Sequence, residues 1–171
     1  MPRRPPIRDS ADDIALVKDV LQLAYPGQEW DERGVDAVLA ETKNQVHVID
    51  PDRRAYCHLI IIDRKEPRGI LPAGRSVQVA TLAPQHHDQE WVNTVLGPLL
   101  NHAFRKLVRE NRGIRGLPAH AYLSKDLIPY WTAVFEADVV PRSTGAYLML
   151  VRTIREGFER LARLEALGTG L

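Results

Sequence analysis

The side chains best suited to chemistry stand at a few places along the chain. His86 and His87 are adjacent, just ahead of a long amphipathic segment. A neutral imidazole suits a base near pH 7, which makes His87 a candidate proton acceptor. Neighbouring residues point in different directions, so the pair is no natural bidentate metal clamp, and polar loop surface is the plainer alternative for both. Ser124 ends an apolar segment. Its hydroxyl can orient a water or a leaving group, or it can cap the helix that follows. His120, in the same segment, either faces a cleft or belongs to the core. Cys57 and His58 are neighbours in a strand-like run, and a period of two puts them on opposite faces. Cys57 therefore reads as a small buried hydrophobe rather than a nucleophile. No His-x-x-x-His or Glu-x-x-His spacing indicates a metal site.

The charged residues read as solvated surface. Asp50-Pro51-Asp52-Arg53-Arg54 has the composition of a hairpin turn. Arg64, Lys65, Arg68 and Arg75 can meet a phosphate-bearing ligand, but Asp63 and Glu66 are interspersed among them. Across 171 residues, 23 Lys and Arg stand against 22 Asp and Glu, a net charge of +1. A dedicated nucleic-acid binder normally has a strong basic excess, so nucleic acid is not an expected partner. Arg3 and Arg4 in the Pro/Arg leader, residues 1–6, offer only a weak, salt-sensitive attraction. A single cysteine excludes an intramolecular disulfide and a cysteine-rich zinc site. No apolar run approaches the ~18 residues that span a bilayer, and the leader has no apolar stretch behind it to serve as a secretory signal. At 44% hydrophobic residues the chain can bury a core without staples. These features predict a cytoplasmic globular domain.

The elements that must position these groups follow from hydrophobic period and punctuation. Ile7-Arg8-Asp9 predicts a short edge strand. Ile14, Val17, Leu21 and Ala24 predict a helix over 11–25, with Ser10 as its cap and Pro26-Gly27 as its stop. A second helix is expected over 31–42, capped by Asp31. Val46-His47-Val48-Ile49 and 55–62 read as paired strands. The run Leu59-Ile60-Ile61-Ile62 predicts burial on both faces. Residues 76–82 alternate as a strand. The longest helix is expected near 89–111, with a kink or late start at Gly97-Pro98. A strand over 117–123, a helix over 124–135 and a strand pair near 139–140 and 145–154 follow. A C-terminal amphipathic helix carries Ile154, Phe158, Leu161, Leu164 and Leu167. The order is β-α-α-β-β-β-α-β-α-β-β-α, an α+β or mixed α/β domain over 7–153, with the terminal helix and tail over 154–171. That helix must cover its stripe on its own domain or on another copy of the chain, since an isolated helix of this length is marginal in water.

This order resembles the GCN5-related N-acetyltransferase (GNAT) superfamily over residues 6–153. The resemblance is most specific at Tyr130-Trp131-Thr132-Ala133-Val134-Phe135-Glu136, which is similar to the family's Tyr-x-x-x-Gly-Phe segment, with Val134 in place of the glycine. It implies a mixed central sheet flanked by helices, and transfer of an acetyl or other acyl group from acetyl-CoA to a small-molecule or protein amine. It names Tyr130 as the acid that protonates the leaving thiolate, with Ser124 and His87 as further catalytic candidates. It implies that the fourth and fifth strands splay, and that Val79, Ala80, Thr81 and Leu82 hold the pantetheine arm and the acyl carbonyl. The family's pyrophosphate loop falls here on Leu82-Ala83-Pro84-Gln85-His86-His87-Asp88-Gln89-Glu90-Trp91. Gln85 or Gln89 stands for its Arg/Gln, and His86 is a further donor. Glycines normally let backbone amides converge on phosphates at such a helix start. This junction has none, and it carries Asp88 and Glu90. Hence a second expectation: a catalytically inactive module that uses the same fold as an interaction or structural part of a larger assembly, its cleft filled by side chains such as Trp91 or His87.

Overall fold

A computed structural model describes residues 7–135 and 137–168, with side chains described as far as Leu164. The leader with Arg3 and Arg4, Glu136 and the side chains of Glu165 and Leu167 lie outside the described residues. In chain order the elements are β1 (Arg8–Asp9), α1 (Ile14–Ala24), α2 (Glu32–Ala40), β2 (Gln45–Asp50), β3 (Ala55–Arg64) and β4 (Gly74–Ala83). A long helix follows in three segments: α3 (Gln89–Trp91), a π-helical turn (Val92–Leu96) and α4 (Gly97–Glu110). Then come β5 (Ala119–Ser124), α5 (Ile128–Phe135), β6 (Asp138–Pro141), β7 (Gly145–Val151) and α6 (Ile154–Gly168). The strands form one mixed sheet in the order β1-β2-β3-β4-β5-β7-β6. Its pairs are antiparallel except β4 with β5. This is the α+β architecture the element order predicts.

Side-chain alternation divides the sheet between two cores. Ala55, Cys57, Leu59 and Ile61 of β3 join Val77 and Val79 of β4, and Ala121 and Leu123 of β5, against Leu99, Leu100, Phe104 and Leu107 of α4. Tyr56, on the other face of β3, joins Ile49 and Ala83 against Val17, Val20 and Leu21 of α1 and Val35 and Leu39 of α2. The second core reaches only the Tyr56 end of β3. Ile60 and Ile62 are therefore half-buried while Leu59 and Ile61 are buried, so the apolar run is covered fully on one face only. Cys57 is fully buried and burial pushes its thiol pKa up, as suits a core residue.

Local chemistry shifts several element ends. Asp9, not Ser10, caps the entry to the first helix: its carboxylate accepts from the Ala11 amide (3.1 Å) and a 3₁₀ turn over Ser10–Asp12 precedes α1. The π turn answers Pro98, which lacks an amide proton and whose ring would crowd the carbonyl one turn back. The Gly97 amide reaches five residues back to Val92 O, so the widened turn absorbs the mismatch where a kink is expected. As far as Leu164 the stripe of α6 is covered by its own chain: Ile154 and Leu161 lie in the main core, Phe158 meets Phe104 edge-on at 6.4 Å, and Leu164 lies over Gly97. No helix among the described residues is long and apolar enough to cross a membrane.

Candidate functional site: the cleft between β4 and β5

The parallel pair β4–β5 is short. Val77, Gln78 and Val79 pair with Ala119, His120 and Ala121, and the ladder stops there although both strands continue. The cause lies on the other side of β4. Between β3 and β4 the register slips, so that Leu59 pairs with Val79 but His58 pairs with Thr81. Ala80 is the extra residue of a β-bulge, a device that bends a strand and sharpens its twist. The bulge also shifts the period: Val77, Val79 and then Leu82 face the main core, while Ala83 faces the second.

The parted strands leave a cleft of about 290 Å³. Val79, Leu82, Ala121, Leu123 and Leu127 line it from the main-core side. Ala80, Tyr122 and Ser124 line it from the opposite face, with Tyr25, Gln85, His86, His87 and Thr144 closing its sides. The opening thus runs from one face of the sheet toward the other. Its deep part is apolar and its rim carries hydroxyl, amide and imidazole groups.

Of the residues expected at the site, Val79, Ala80, Leu82, Gln85, His86, His87 and Ser124 line this cleft. Thr81, Gln89 and Tyr130 do not. Thr81 is half-buried in the ladder with β3 opposite His58. Gln89 turns toward α5, donating to Asn93 Oδ1 (3.0 Å) and to Tyr130 O (3.4 Å). Tyr130 packs half-buried against the main core. His120 is fully buried away from the cleft, its Nε2 3.1 Å from Ser76 Oγ.

His87 is a wall residue whose ring nitrogens are both engaged. Nδ1 donates to Pro84 O (3.2 Å), and Nε2 accepts from the indole Nε1–H of buried Trp131 (3.0 Å). The ring stacks on Trp91 at 4.3 Å. Burial lowers its pKa, consistent with a neutral ring fixed in one tautomer. Ser124 does not cap α5, which begins at Ile128 after a turn closed by the Leu127 amide on Ser124 O (3.1 Å). Its side chain is instead the leading cause of a lowered pKa at Asp126. The same carboxylate lies 3.5 Å from His86 Nδ1 at the exposed rim.

The start of the long helix is capped from within. The Asp88 carboxylate accepts from the Trp91 amide (2.9 Å) and Glu90 follows in the first turn. Two carboxylates already complement the helix dipole here, so the junction offers no ready nest for a diphosphate.

Sequence reasoning missed Tyr25, Ala121, Tyr122, Leu123, Leu127 and Thr144. Tyr122 shares a face of β5 with Ser124, two residues further on, a signal present in the period of two. Tyr25 stands next to the Pro26-Gly27 stop, and only the docking of α1 on the sheet brings its hydroxyl to Leu82 O (3.3 Å). Thr144 reaches the rim through the β6–β7 turn and shares a hydrogen bond with the Tyr122 hydroxyl. Among the described residues no group of three His, Cys, Asp or Glu is arranged to hold a metal ion. The chain matches no protein-family model, no curated protein and no solved structure.

Proposed function

We propose that the protein transfers an acyl group from a thioester to an amine, with the thioester arm lying in the cleft between β4 and β5. One observation carries this reading: two adjacent parallel strands separate beyond Val79 and Ala121 and leave an open, mainly apolar slot. Strand edges in such a slot retain backbone groups that can hold an amide-bearing arm and orient a carbonyl. The volume, about 290 Å³, lies at the lower end of the roughly 300–1,000 Å³ usual for ligand clefts, which suits an extended arm rather than a whole nucleotide. The resemblance to GNAT acyltransferases in element order supports the same chemistry.

In this reaction the amine nitrogen attacks the thioester carbonyl, the C–S bond breaks, and the products are an amide and a thiol. The walls of the slot at Val79, Leu82, Ala121 and Leu123 favour an uncharged thioester. The amine enters from the polar rim formed by Ser124, His86 and Thr144. Acetyl-CoA is the simplest donor to test, although the Asp88 cap is a poor place for its diphosphate. Purified protein is mixed with acetyl-CoA, or with S-acetylpantetheine, and a panel of amines, and thiol release is followed. Amine-dependent release from either thioester supports the reading. No release from either, with no thermal shift at millimolar thioester, rejects it.

A second reading, the inactive module, rests on that same cap: Asp88 accepts from the Trp91 amide where a phosphate would be received. It requires a cleft that takes up neither thioester, so the same thermal-shift measurement separates the two.

A further inference from the structure

Acyl transfer from a thioester needs a proton for the departing thiolate, and several hydroxyls line the cleft. Ser124 neighbours the exposed Asp126 carboxylate and lowers its pKa. Tyr122, 40% exposed, is tied to Thr144 at the rim. Tyr25 differs from both. It stands at the end of α1, half-buried, with its ring tilted against Trp30 at 6.4 Å. Its hydroxyl donates to the Leu82 carbonyl at 3.3 Å, a long bond at the point where β4 has left β5. Gln85 lines the same wall of the cleft. The proton is thus held at the side of the slot by one long bond. Burial raises the tyrosine's pKa, so the hydroxyl carries its proton at neutral pH.

We infer that Tyr25, rather than Tyr130, is the catalytic acid that protonates the leaving thiolate. This rests on the acyl-transfer reading above. The step balances as follows. The amine nitrogen forms the new C–N bond and the C–S electron pair leaves with sulfur. Sulfur takes the proton from Tyr25 Oη, and the proton lost by the amine nitrogen returns to the tyrosinate through water. The Leu82 carbonyl holds the phenol oxygen in place between turnovers.

The test is dependence on the leaving group. Turnover is measured for wild type, Tyr25→Phe and Tyr130→Phe with two acetyl thioesters: N-acetylcysteamine, whose thiolate needs a proton, and thiophenol, whose thiolate leaves without one. General-acid catalysis is typically worth about 10²–10⁴-fold. Tyr25→Phe is expected to lose at least about 100-fold with the alkyl thioester and to come within a few-fold of wild type with the aryl one. A merely structural tyrosine would give equal losses for both. Equal losses, no loss, or the leaving-group pattern in Tyr130→Phe instead would each overturn the assignment. Wild-type inactivity toward both thioesters would instead reject the acyl-transfer reading itself.

Discussion

His120 provides a quantitative test of how this sheet handles a buried base. Its ring is fully buried between β4 and the end of β3. Arg64 Nη1 lies 3.0 Å from Ser76 Oγ and 3.3 Å from His120 Nε2. A guanidinium can only donate, so Nε2 is the accepting nitrogen and the ring proton sits on Nδ1. Nδ1 has no hydrogen-bond partner. A second proton would have to enter beside the Arg64 cation without water to solvate it. Burial, then the charge of Arg64, accordingly lower the pKa from 6.5 to about 4. The sign follows: the unfolded chain takes up a proton as pH falls below 6.5 while the folded chain does not, so stability is full above 6.5 and declines until about 4. Each unit of the gap is worth about 1.4 kcal/mol, giving a loss of about 2 kcal/mol from this side chain between pH 7.5 and 5. Urea unfolding of wild type and His120→Gln at both pH values isolates the effect, because only the difference in pH dependence counts. The variant is expected to lose about 2 kcal/mol less than wild type. A difference below about 0.5 kcal/mol would refute the claim that His120 is buried neutral.

Other consequences concern the walls of the cleft. A methyl group on Gly145 would overlap the Leu123 carbonyl oxygen and touch the Tyr122 ring, so Gly145→Ala is expected to cost about 1–3 kcal/mol, read as a lowered melting temperature; an unchanged value would mean that β5 and β7 separate easily. His87→Ala removes the acceptor of the Trp131 indole and is expected to cost about 1–3 kcal/mol, with a shift in tryptophan emission as its signature. Asp88→Asn keeps a capping oxygen while removing charge. It is expected to change stability by less than about 1 kcal/mol and to tighten acetyl-CoA binding in calorimetry without affecting S-acetylpantetheine; equal effects on both would place the donor's phosphates elsewhere.

Much of the architecture was legible because hydrophobic period and punctuation act locally. The element order, the Asp31 cap on α2, the disturbance at Pro98 and the burial of Cys57 all follow from residues close in sequence. The site was legible where it follows the chain: Val79, Ala80 and Leu82 line the slot because β4 parts from β5 beyond Val79, and Ser124 because it ends β5. Local reading stops where distant segments compete for a group. His87 reads as a base until Trp131, 44 residues away, donates to its second nitrogen. Tyr130 holds the family-like spacing, yet its helix begins only at Ile128 and the side chain packs on the core.

The sequence by itself determined which segments are helices and strands and which faces are apolar, since those depend on side-chain period and backbone propensity within a few residues. Only the tertiary structure decided where β4 bends, because the bulge at Ala80 is a mismatch of register with β3 and no single strand carries a register. The same holds for the proton at the side of the slot: Tyr25 and Leu82 are 57 residues apart, and α1 brings them together only by docking its own apolar face on the sheet.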